Sequence, residues 1–149
     1  RGVVVWSYVP PPADAIESRT QASHIRWAEL RAGQGELIER DLTPVGSGDG
    51  NVVVASCPAG VGNCPAGGEV TAVWMRRIGA QWQDHHYALM YARYRPGTGW
   101  GPVSRVDPGQ GATSDLQPTV AYLTSSATAV VAWARKASAG LAAQETRRI

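Results

Sequence analysis

A short apolar run that closes on tryptophan, followed by a more polar run that closes on arginine, occurs three times in this chain. The copies read VVVW at 3–6 with WAELR at 27–31, TAVW at 71–74 with YARYR at 91–95, and VVAW at 130–133 with AQETR at 143–147. Repetition on this scale is the mark of one supersecondary unit laid beside its own copies. Architecture is therefore the first thing the sequence constrains.

The runs are short and turn formers are frequent, with 17 Gly and 10 Pro among 149 residues, which predicts an all-β chain. Strands are expected at 2–9, 23–31, 36–42, 51–57, 69–78, 85–95, 100–106, 118–124, 127–136 and 141–149. Pro10-Pro11-Pro12 ends the first, because consecutive prolines donate no ladder hydrogen bonds. Residues 13–22 read as a short helix or a long connection, and 43–50, 79–84 and 107–117 read as loops or turns. Lettering strands by place in a four-stranded antiparallel unit gives B-C-D over 1–50, A-B-C-D over 51–107 and A-B-C over 108–149. This is the register of successive β-propeller blades, with a β-sandwich as the alternative. The tryptophan spacings of 68 and 59 residues exceed those of compact blades, and insertions at 10–23 and 57–68 account for most of the excess.

Three stretches carry a family likeness: AVW at 72–74, YARYRPGTGWGPVSRVD at 91–107 and QPTVAY at 117–122. In them the chain resembles the sialidase-like and lectin-like β-propellers of exported bacterial proteins. The resemblance implies a propeller fold and either glycan binding or, as the alternative function, a fragment of a sialidase-like glycoside hydrolase. The chain departs from that pattern in lacking the S-x-D-x-G-x-T-W box and a recognisable set of three substrate-binding arginines. Its start at Arg1, without methionine or leader, and its ragged outer units read as a piece of a longer chain. The expected partners are then the rest of that parent chain or neighbouring copies.

The tryptophans of the apolar runs, Trp6, Trp74 and Trp133, are expected in the core between sheets. Candidate ligand contacts are Trp82 and Trp100, in turns, and Trp27 and Tyr91, at matching places on the more polar strand. Arg31, Arg95 and Arg147 recur at one place in the unit, which favours repeated hydrogen bonding between strands or between blades over capture of a substrate carboxylate. Asp84-His85-His86 offers adjacent rings that a strand would point to opposite faces, a poor start for a metal site. Glu29, Glu36, Glu39, Asp41 and Asp107 show no spacing that picks out an acid/base pair, and no catalytic, metal or cofactor motif is present.

Cys57 and Cys64, in CPAGVGNC, are expected to form a local disulfide, which favours an extracellular or cell-surface protein. The net charge of +2 is spread along the strands and argues against a nucleic-acid partner. No apolar stretch reaches the roughly 18 residues of a membrane helix. The functional expectation is a non-catalytic module that scaffolds or binds a protein or glycan.

Overall fold

The computed structural model describes residues 2–11, 23–33, 35, 37–79, 86–107, 113–137 and 142–149. Within them the chain is strand and turn, with no helix. The strands are β1 (Gly2–Tyr8), β2 (His24–Leu30), β3 (Arg40–Asp41), β4 (Asp49–Cys57), β5 (Glu69–Ile78), β6 (His86–Arg95), β7 (Gly99–Trp100), β8 (Ser104–Arg105), β9 (Thr113–Leu123), β10 (Thr128–Ala137) and β11 (Ala142–Arg148). They form three antiparallel sheets: β1-β2-β3, then β4-β5-β6-β7 with β8 returning to β6, then β9-β10-β11. Each sheet holds one of the tryptophan runs, on β1, β5 and β10. The segment 13–22, read as helix or connection, lies outside the described residues.

Three strand expectations are corrected. The third strand shrinks to Arg40–Asp41. The strand expected at 100–106 is two short pairings on either side of Pro102, which has no N–H to give a ladder. Pairing in the last sheet starts at Thr113, well inside the expected loop.

The pairing registers show how closely the units repeat. Trp6 pairs with Arg26, Trp74 with Met90 and Trp133 with Glu145. Opposite Trp74 the ladder slips between Gly50 and Val53, and opposite Trp133 it slips between Leu116 and Thr119. Both slips are β-bulges, and each contains a residue in the left-handed region, Asn51 at φ 52° and Gln117 at φ 51°. Asp49 pairs with Arg76 and Asp115 with Arg135, so each bulge is flanked by the same Asp–Arg rung. The returning chain also repeats: Leu42 N–H donates to the Ile25 carbonyl and Val106 N–H to the Leu89 carbonyl, both at 2.8 Å.

Alternation along β5 sends its side chains to two different cores. Val73 and Met75 join Leu89, Val106, Val131 and Trp133 in one buried cluster. Ala72 and Trp74 join Ile25 and Ala92 in the other. The middle sheet is thus covered on both faces, by the first sheet on one and the third on the other. Trp74 and Trp133 fill these two seams as expected. Trp6 does not. Val5 takes the inward place, packing against the Ile25–Trp74 cluster, so its neighbour Trp6 points outward and is half-buried.

Polar groups cross each seam beside its tryptophan. Arg76 grips the fully buried Asp49 with two hydrogen bonds, 2.7 and 2.8 Å. Asp49 also accepts Ser47 Oγ at 2.6 Å, and Ser47 meets Thr43, whose hydroxyl accepts the Ile25 N–H at 2.9 Å. At the other seam Asp115 accepts Arg135 Nε at 2.8 Å and Trp133 Nε1 at 3.0 Å, and Arg135 reaches Asp107 at 2.7 Å. These hydrogen bonds to carboxylates hold both guanidiniums above their ordinary pKa, so they stay charged.

Cys57 and Cys64 form a disulfide. Its loop docks on the β9–β10 turn: Asn63 N–H donates to the Thr124 carbonyl at 2.8 Å and its side chain donates to the Ser125 carbonyl. Gly62 sits there at φ 56°, and a Cβ would run into the Thr124 carbonyl.

Two measurements follow from these seams. Asp115→Ala leaves the Trp133 indole N–H buried without its acceptor and the Arg135 guanidinium with Asp107 alone, and should cost about 3 kcal/mol in urea unfolding. Removing the disulfide by paired serine substitution should cost about 2 kcal/mol, because the closed loop is short.

Candidate functional site

The first and second sheets part at the disulfide end into a cleft of about 330 Å3. Gly2 and Val3 of β1 and Glu29 of β2 form one wall. The other wall comes from Ser56, Cys57 and the loop after them, from Glu69 and Val70 of β5, and from Tyr94. The volume is at the lower end of that of small-molecule pockets. A smaller recess next to it, bounded by Trp27, Glu29, Arg31, Ile38 and Arg40, shares Glu29.

Three aromatic rings stand between these hollows and the core. Trp27, Tyr94 and Trp100 lie with centroids 5.5–6.0 Å apart, tilted or edge to face. Residue parity brings them together: Trp27 faces inward with Val5, its pairing partner, and Tyr94 lies opposite Trp100 across the β6–β7 rung. Arg40 lies over the Trp27 ring at 5.4 Å, a cation–π contact that also roofs the ring. Only 9% of Trp27 and 5% of Tyr94 is exposed, so these rings serve packing first, and Trp100 shows a larger edge to solvent.

The carboxylates beside the cleft are tied down. Glu29 accepts Arg31 at 2.6 Å, a bond that raises the exposed guanidinium's pKa. Glu69 is buried and accepts Arg95 at 2.6 Å and the Tyr122 hydroxyl at 2.7 Å, with Arg93 at 3.8 Å. The hydroxyls of Thr71 and Tyr122 meet at 2.6 Å. Glu69 therefore joins the second sheet to β9 of the third. Among the described residues no group of three or more His, Cys, Asp or Glu is placed to hold a metal ion.

Of the aromatic residues singled out in the sequence, the fold unites Trp27 and Trp100 and keeps Tyr91 apart. Trp27 and Tyr91 do hold equivalent register positions, pairing with Val5 and Val73, the residues just before each tryptophan. That equivalence sends them to different seams, and Tyr91 packs on the Val73–Trp133 cluster. Trp82 and His85 lie outside the described residues, and His86 opens β6.

The arginine expectation needs correction. Arg95 bonds across the ladder to Glu69, whereas Arg31 bonds within its own strand to Glu29. Arg147 is not their counterpart, because it pairs with Val131, where Ala92 pairs with Ala72. It points instead toward Asp107, 3.6 Å away. The arginines that do recur are Arg76 and Arg135. The signal for them is the tripeptide Trp-x-Arg at 74–76 and 133–135, which carries each apolar run two residues past its tryptophan.

Burial pushes the Tyr122 hydroxyl up from 10.0 to about 12, and its hydrogen bond to Glu69 adds to the effect. A folded-state pKa above the unfolded one gives stability that is complete below pH 10.0 and is lost between 10.0 and about 12. The urea midpoint should therefore fall over that window, and Tyr122→Phe should flatten the fall while lowering the midpoint at neutral pH.

Comparison of the chain with protein-family models, with curated proteins and with solved structures finds no match.

Proposed function

We propose that the chain is a non-catalytic, extracellular β-repeat module of the propeller type, with a scaffolding or binding role. The observation that carries this reading is the placing of Trp6. It pairs with the following strand as Trp74 and Trp133 do, yet among the described residues it faces away from the second sheet. Two of the three equivalent tryptophans fill a seam against a preceding sheet, and the third is set out for one. Tyr8, His24 and Arg26 lie on the same side of the sheet, with the Tyr8 ring under Arg26 and against His24, which is itself buried. The double burial of the middle sheet favours blades over a sandwich, in which each sheet covers one face. The disulfide suits an oxidising compartment, and among the described residues no helix is long and apolar enough to cross a membrane.

The charged groups near the cleft support a binding role over hydrolysis. Glu69 is consumed by Arg95 and Tyr122, and Glu29 by Arg31. A glycan entering the cleft would meet the Tyr94 edge and the Glu29 carboxylate, so protein and glycan partners both fit this surface.

Two variants separate the outward tryptophan from an inward one. Trp74→Ala should cost at least about 3 kcal/mol in the isolated chain. Trp6→Ala should cost well under that, while weakening self-association or partner capture measured by sedimentation. Equal losses of stability, or a chain monomeric at every concentration with no partner bound, would sink the stacking role. In parallel, a glycan array and a panel of chromogenic glycosides should show no turnover. Hydrolysis abolished by Glu29→Gln or Glu69→Gln would establish the enzyme instead.

A further inference from the structure

The free edge of β1 differs from the other open edges of the same sheets. Among the described residues β1 pairs only with β2, whereas its counterparts β5 and β10 each carry a further antiparallel strand on that side, β4 and β9. Those outer strands are blunted. β4 and β9 are both broken by a bulge with a left-handed residue, and β9 also has Pro118 in the bulge. The opposite edge of the third sheet, β11, ends in Arg147 and Arg148. β1 has none of these devices. Its seven residues, GVVVWSY, pair with β2 without a slip and contain no charge, proline or bulge. A regular, uncharged, β-branched edge is the kind that takes up another strand.

We infer that the free edge of β1 is a binding site for one separate peptide strand, antiparallel to it and uncharged along its paired length. This deepens the repeat reading above and rests on it. The chain itself shows the occupant twice: β4 against β5, with NVVVAS, and β9 against β10, with PTVAY. Space is present at both ends of the edge. Gly2 and Val3 open onto the 330 Å3 cleft opposite Ser56, Cys57 and Val70, and Val9 opens onto a second hollow of about 220 Å3 beside Gly50 and Asn51. The bound strand differs from β4 and β9 in one respect. Where Arg76 and Arg135 follow their tryptophans by two residues, β1 has Tyr8, already packed on His24. The occupant therefore gains nothing from an aspartate at the start of its bulge.

The test uses the full chain and a synthetic peptide with the sequence of residues 116–123, the uncharged part of β9, in three forms. One is unmodified, one is N-methylated on alternate residues, and one is N-methylated on the other alternate set. The unmodified peptide should bind and slow exchange of alternate amides in Gly2–Tyr8 by about tenfold, leaving β10 amides unchanged. One N-methylated form should bind and the other should not, because a strand donates to β1 from one edge only. No binding, or binding by both methylated forms, overturns the inference. So does an isolated chain in which every β1 amide is already protected. Protection that grows with protein concentration would assign the edge to a second copy, and protection at all concentrations to the chain's own residues. Loss of peptide binding with the Trp6 results intact would remove this inference alone. Glycoside turnover would remove the module reading and leave the peptide result standing.

Discussion

The arrangement of this molecule depends on a buried carboxylate gripped by an arginine two residues beyond a tryptophan. A paired charge in the interior is neutral to stability at best, since desolvation offsets most of the attraction. What it supplies is direction. Asp49 and Asp115 are held on their strands at the same distance from a bulge, and each accepts its arginine across one rung. The bulge turns the outer strand so that two residues face one tryptophan. The positive φ of Asn51 and Gln117 is the local cost of that turn. A register slip would part each carboxylate from its arginine and leave the buried aspartate without that donor, so slippage is penalised at both seams.

Apolar packing fills the seams but does not by itself choose how one sheet lies on another, because it has little directional preference. The polar links make that choice. The network from Arg76 through Asp49, Ser47 and Thr43 ends on the backbone of Ile25, a residue of the first sheet's core. Arg135 spans Asp115 of the third sheet and Asp107 at the end of the second. The two solutions differ in detail. Asp115 Oδ1 accepts both Arg135 Nε and Trp133 Nε1, whereas Asp49 is bonded by Arg76 and Ser47 but not by Trp74, whose buried Nε1 is left without a partner.

Much of the fold was legible because the tryptophan runs fix strand parity as well as strand number. Once Trp74 and Trp133 are placed inward, alternation assigns Ala72, Val73 and Met75 to their faces without further information. The outward turn of Trp6 was not legible, since it depends on which face of the first sheet meets the second, and sequence periodicity does not distinguish two apolar faces. The shortness of β3 and the break at Pro102 reflect edge strands, whose pairing is weakly encoded. The aromatic cluster was half visible: Trp27 and Trp100 stood out, but Tyr94 was hidden inside YARYR until the β6–β7 rung set it opposite Trp100. Arg147 misled because counting from the end of a run ignores register. The pairing of Trp133 with Glu145, rather than the position of the last arginine, sets the phase.

The same reasoning bears on how the first sheet meets a neighbour. At both internal seams the arginine after the tryptophan secures the carboxylate of its own sheet, and Arg135 also reaches back to the sheet before. On β1 that place belongs to Tyr8, whose ring is occupied by His24 and Arg26. Arg26 is itself bound to Glu39 and close to Asp41. A sheet arriving against Trp6 therefore finds apolar surface and aromatic edges but no guanidinium on β1 to lock its register. Contacts of that kind are governed by area and shape, and they form and part more readily than a seam fixed by a buried ion pair. The outward face is thus chemically distinct from the two seams it resembles in register.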